Sequence, residues 1–209
     1  MKHLALLAAA VVTAVAVAAA VSVLAPAAEP AQAPDVLIVQ AAGTPTDVKV
    51  TAANVDAVTM PTPTGRNVKT LADDLAAALR AKGLTVRVAT PDEVTGRQEV
   101  LAPRCVVLGS PAYFGNMSWK LKKLFDTVFW RIHALPGERL AQKPFATYVL
   151  GTSEPRCRET AASIDAIVKT CNGLPAATMI VLGSQKPDEV KASLARFADE
   201  IAAKAGQGT

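Results

Sequence analysis

The chain has 209 residues, 51% of them hydrophobic and only 4% aromatic, with a formal charge of +4. That length allows an export segment and about one domain. The small positive excess forms no basic stripe with interleaved aromatics, which excludes nucleic acid as a partner class.

The N-terminus reads Met1-Lys2-His3 followed by an apolar run from Leu4 to Leu24. A short basic start, a long apolar stretch and small residues after it describe an export signal, with Ala25-Pro26-Ala27 as an A-x-A cleavage site. The run is also long enough to span a bilayer as an N-terminal apolar helix. A cleaved signal and an uncleaved signal anchor therefore both stay open for residues 1–27. No Cys follows the run, which excludes a lipoprotein anchor. Either way the domain is expected outside the cytoplasm, and an uncleaved segment would hold it to the membrane. Residues 25–35 are rich in Ala and Pro and read as a linker.

Two segments compete for the first strand. Asp35 to Gln40 (DVLIVQ) is the stronger by composition; Val55 to Met60 leads directly into the loop at 61–67. One reading takes 36–40 as the first strand and 41–60 as an insertion; the favoured one takes 55–60 as the first strand with 36–50 as an additional strand or hairpin, residues 28–54 as linker and N-terminal extension, and 55–205 as the domain. A helix follows, with Val68, Leu71, Ala72, Leu75 and Leu79 at helical spacing and Gly83 as its stop. Strands are expected at 84–89, 105–109, 145–151 and 178–183. Three of the four are near-continuous apolar runs ending in Gly, as strands covered on both faces read. Helices fall between them, around Met117 to Val128, around Ile164 to Cys171, and from Pro187-Asp188 through Ile201. The alternation predicts an α/β fold, a doubly wound parallel five-stranded sheet.

Cys105 falls within an apolar strand and reads as a buried small hydrophobe. Cys157 and Cys171 flank one helix, about 20 Å apart by helical rise, too far for a disulfide. Cys157 is read as a surface bystander, a reactive thiol near a helix N-terminus being the sharper reading. His133 reads as an exposed loop histidine. No metal cluster, paired histidines or Ser-His-Asp spacing is present.

Three loops lie where chemistry is expected, after strands and before helices. Residues 61–67 (PTPTGRN) open a helix. Thr62 and Thr64 supply hydroxyls, Gly65 close backbone approach, Arg66 charge and Asn67 an amide, which suits one phosphate at a helix N-terminus. An ordinary capped turn is the competing reading. Residues 109–117 (GSPAYFGNM) put Tyr113 and Phe114 in a loop, where at least one should be exposed and offer a flat ring to a heterocycle. Residues 151–158 (GTSEPRCR) follow a buried strand. Thr152 and Ser153 would meet a ligand's polar edge, and Arg156 and Arg158 read as solvated charges.

These residues resemble a known family. Thr62 to Asn67 is similar to the flavodoxin phosphate loop. Gly109 to Met117 resembles the corresponding loop of the FMN-dependent NAD(P)H:quinone oxidoreductases, and Leu121, Phe125-Asp126, Trp130 and Lys143-Pro144 continue the likeness. The resemblance covers roughly residues 55–205 and implies a flavodoxin-like fold with FMN as cofactor. By position, Thr62, Pro63, Thr64, Gly65, Arg66 and Asn67 would surround the FMN phosphate. Pro111, Ala112, Tyr113, Phe114, Gly115 and Asn116 would line its ring, and Thr152 and Ser153 would border the other side. Three features depart from the family pattern: Arg66-Asn67 replaces Asn-Thr, Pro63 has no N–H to donate, and the third loop has Glu154 and lacks a Gly-Gly.

The expected function is an FMN flavoprotein, with FMN-dependent oxidoreductase as its candidate activity. It would carry electrons or reduce a quinone-like or protein acceptor, partnered by a redox protein or a small donor or acceptor. A homo-oligomer stays open. The alternative is a cofactor-free flavodoxin-like module that binds a partner protein. Phosphate-ester chemistry at 61–67 has no nucleophile or metal ligand behind it.

Overall fold

Five parallel strands form one sheet in the order β2-β1-β3-β4-β5. They are β1 (Val36–Gln40), β2 (Val86–Ala89), β3 (Cys105–Pro111), β4 (Pro144–Gly151) and β5 (Leu174–Leu182). The structure, a computed structural model, describes residues 32–42, 51, 53, 67–135, 137 and 139–206. The N-terminal apolar segment, the candidate strand at 55–60 and loop residues 61–66 lie outside the described residues. Among the described residues no helix is long and apolar enough to cross a membrane.

The first strand is 36–40, not the segment favoured from the sequence. It lies between β2 and β3, and all five of its residues are buried. A strand covered on both faces needs an unbroken apolar run. VLIVQ has one, whereas 55–60 carries Asp56 and Thr59. The sheet therefore begins ahead of the boundary expected at 55.

Helices cover both faces. On one, α1 (Val68–Arg80) and α6 (Pro187–Gly206) pack on Val36, Ile38, Val107, Tyr148 and Val181. The buried face of α1 is Val68, Leu71, Ala72, Leu75, Ala76 and Leu79, as its spacing predicted. Burying each Leu or Val side chain contributes about 1.5–3 kcal/mol, so this face dominates the docking of α1. The other face of the sheet carries α2 (Arg97–Leu101), α3 (Trp119–Leu124), α4 (Trp130–Ala134) and α5 (Glu154–Thr170). A π-helical segment, Phe125–Phe129, joins α3 to α4 and keeps Phe125, Val128 and Phe129 buried together. Phe129 stands between Phe125 and Phe145, with ring centroids 4.7 and 5.9 Å away.

All three cysteines are buried and free. Cys157 is no surface residue. It faces Val149 from the first turn of α5, and its Sγ lies 2.6 Å from where a Cβ on Gly151 would stand. Burial, with Glu154 nearby, raises its thiol pKa, against the reactive reading.

Candidate functional site

In an open α/β sheet the strand order reverses at a switch point, and ligands bind in the crevice beyond the carboxyl ends there. Here β1 has β2 on one side and β3 on the other, so the crevice opens beyond Gln40 and Pro111. The Ala41 amide donates to the Gly109 carbonyl, 2.9 Å, closing the ends of the two strands together.

The N-terminus of α1 lies at this same edge. Tyr148 ties it there: the fully buried phenol donates to the Val68 carbonyl, 2.8 Å, and its ring fills the space a side chain at Gly109 would need. Asn67 is the N-cap of α1. Its Oδ1 accepts from the Thr70 amide at 2.8 Å, and its own amide donates to Thr70 Oγ1 at 3.2 Å. The expected phosphate donor thus turns its side-chain oxygen to the helix, as a capping box does. The side-chain nitrogen is the donor that capping leaves over. Thr62, Pro63, Thr64, Gly65 and Arg66 lie outside the described residues.

The loop after β3 is a closed structure. Ser110, fully buried, accepts from the Ser118 amide at 2.9 Å and donates to the Pro111 carbonyl. Ser118 in turn caps α3, its Oγ accepting from the Leu121 amide at 3.3 Å. Between them Tyr113 and Asn116 exchange backbone hydrogen bonds of 2.9 and 2.8 Å. Phe114 (φ 54°) and Gly115 (φ 82°) form the turn, with the positive-φ pair of a type I′ hairpin. Its tip leaves Phe114 81% exposed. Tyr113 is half-buried, and burial raises its phenol pKa. Gly115 packs against Glu159 and Arg156 of α5, and a Cβ there would displace the Glu159 carboxylate.

Pro111 is buried at the strand end, and the half-buried Ala112 donates its amide to the Leu150 carbonyl at 2.8 Å. Asn116 and Thr152 are exposed, and Ser153, half-buried, stands at the N-cap of α5. Residues 154–158 are helix rather than loop. Glu154 and Pro155 open α5, and the exposed Arg158 and Arg156 pair with Glu154 at 2.5 Å and Glu159 at 2.9 Å. The Glu154 and Glu159 carboxylates are thus each offset by a guanidinium. The structure therefore brings Asn67, residues 111–116 and residues 152–153 to one edge of the sheet. Sequence reasoning missed Ser110, Ser118 and Tyr148, which hold that edge in shape. His133 is exposed on α4, away from this edge.

A parallel sheet of order 2-1-3-4-5 under two helical layers, with its loops gathered at the switch point, defines an α/β protein of the flavodoxin-like class. No family model matches the chain, and no curated protein matches its sequence. Solved structures do match. A flavodoxin, WrbA-like protein from Agrobacterium tumefaciens superposes with TM-score 0.58 at 13% identity, covering 84% of this chain and 99% of its own. Oxidised flavodoxin 2 from Bacillus cereus gives 0.55 at 18% identity over 81% and 99%. An oxidoreductase from Corynebacterium diphtheriae gives 0.55 at 12% identity over 85% and 100%. The chain has a flavodoxin-like fold.

Proposed function

We propose that this chain is a flavoprotein that holds FMN non-covalently at the carboxyl edge of its sheet. It transfers electrons to, or reduces, a quinone-like or protein acceptor outside the cytoplasm. The observation that carries the reading is the meeting of two unlike features at one edge. A helix N-terminus suited to a phosphate stands with an aromatic ring held 81% exposed on a bonded hairpin.

The residues fit the group. An exposed Phe in a strained turn gains by being covered, and a flat tricyclic ring covers it. Among the described residues 40–42, 111–116 and 152–153 none carries negative charge. Thr62, Thr64, Gly65, Arg66 and the side-chain nitrogen of Asn67 would hold the phosphate. Pro111 to Asn116 would line the ring, with Thr152 and Ser153 at its other border. The redox chemistry is the flavin's when bound, and no acid or base side chain is needed. The chain supplies the binding, the orientation and the partial exclusion of water. The apolar N-terminal segment supports export, where a membrane or protein redox partner is a more available electron source than NAD(P)H.

The capping of α1 by Asn67 favours one rival, a cofactor-free interaction module with Phe114 in its contact patch. Purification of the full-length chain decides between them. The flavin reading expects a yellow protein whose FMN is released on denaturation, or an apoprotein that quenches added FMN stoichiometrically. A colourless protein indifferent to FMN overturns it.

A further inference from the structure

The opposite edge of the sheet holds a cleft of about 570 Å³ that the flavin reading does not use. It opens under the amino ends of β3, β4 and β5. Arg104 enters it from just before β3, Arg139 and Lys143 from the segment before β4, and Lys204 from the last turn of α6. Among the described residues no Asp or Glu lines it. Among the described residues Arg139, Lys143 and Lys204 make no ion pair. The Arg104 Nε stands 3.5 Å from Asp35, a carboxylate that also accepts from the amide and hydroxyl of Thr85.

Two of these cations are built in rather than splayed on the surface. Lys143 and Lys204 are half-buried, and the Lys143 ammonium donates to the Pro103 carbonyl. The wall between Arg139 and Lys143 is a tight turn, closed by the Lys143 amide on the Leu140 carbonyl at 2.8 Å. Its central residues, Ala141 (φ 49°) and Gln142 (φ 62°), are both left-handed. Neither is a residue that adopts this readily. Gln142 holds the turn by donating its amide and its Nε2 to Asn172, at 2.8 and 2.7 Å. A turn kept in such a conformation, with a cation at each end, marks a shaped site. The exposed Leu174 adds an apolar wall. Four converging cations raise the local positive potential, and planar guanidiniums match phosphate oxygens two at a time. The volume is that of a small-molecule site.

We propose that this cleft binds a small molecule carrying a diphosphate, its oxygens on Arg104, Arg139, Lys143 and Lys204 and its apolar part against Leu174. The site is independent of FMN. The test is calorimetric titration of the full-length chain with inorganic pyrophosphate and with ADP at low salt. Three proteins are compared: wild type, Thr64→Asp, and the double variant Arg139→Glu/Lys204→Glu. Thr64→Asp disables the other candidate phosphate loop and leaves the cleft untouched. Saturable binding that survives Thr64→Asp and weakens at least tenfold in the double variant supports the site. Arg139→Gln, in an exposed loop, gives a smaller loss in the same direction and covers the case in which the double variant does not fold. No binding by wild type overturns the proposal. So does binding that is lost in Thr64→Asp, or that is unchanged by the cleft substitutions.

Discussion

Phe114 concentrates the case for a ligand into one side chain. It is an apolar ring 81% exposed, and it occupies a left-handed position that costs an L residue about 1–2 kcal/mol. Folding alone favours another residue there. Phe114→Asn would place an Asn-Gly pair in the turn, the preferred type I′ sequence. Stability should therefore hold or rise by up to about 1 kcal/mol, read from the denaturation midpoint. Affinity for FMN should fall by about two- to tenfold as the stacking surface goes. A variant that loses stability and keeps FMN affinity would make the ring structural. Gly109 shows the reverse. A Cβ there would stand 2.0 Å from the ring of Tyr148, which is fully buried and bonded to Val68. Gly109→Ala should cost about 1–3 kcal/mol by overpacking, measured by chemical denaturation. Of the site, the exposure of one of the two loop aromatics, Phe114, was legible in the sequence, because aromatics between an apolar strand and a helix have little core to enter. The Tyr148–Gly109 packing was not. It joins residues on neighbouring strands, and no local pattern marks it.

At the level of elements, four of the five strands and the main helices were legible, because burial on both faces writes a continuous apolar run and helix docking writes a 3.6-residue period. For the first strand two segments stayed open, with nearness to the loop at 61–67 weighed above composition, and the strand at 36–40 follows composition. The start of α5 was also missed, although Ser153 before Glu154-Pro155 is a helix-entry signal in residue type and order. What locks β1 beside β2 is a polar clasp just ahead of both strands. The Asp35 amide donates to Thr85 Oγ1 at 2.8 Å, and the Thr85 amide and hydroxyl donate to Asp35 Oδ2 at 2.8 and 2.7 Å. These bonds, the backbone one first, with Arg104 adding attraction, hold the Asp35 carboxyl below its usual pKa. A lowered folded-state pKa means stabilisation that is present at neutral pH and is lost as pH falls through the folded value. Denaturation midpoints should therefore drop on acidification below about pH 4. Asp35→Asn should be less stable at neutral pH and shallower in that acid range. An unchanged acid slope in the variant would remove Asp35 from the account.

For the whole molecule, the two edges of the sheet are built differently. The amino edge gathers Arg104, Arg139, Lys143 and Lys204 around one cleft, and the carboxyl edge gathers a helix N-terminus, a bonded hairpin and an exposed ring. Phe114 itself belongs to none of the buried clusters under α1 and α6 or under α5, so core packing does not account for the ring. A ligand that binds only the folded chain adds to its stability by mass action. At a hundredfold excess over the dissociation constant that contribution is about 2.7 kcal/mol. In a domain of this size it raises Tm by about 5–10 °C. Thermal scans with increasing FMN should show that rise in wild type. Thr64→Asp should melt like the wild-type apoprotein and show no rise, because its carboxylate repels the phosphate. A cofactor-free module gives flat curves for both proteins. A rise that survives Thr64→Asp would move FMN away from the 61–67 loop.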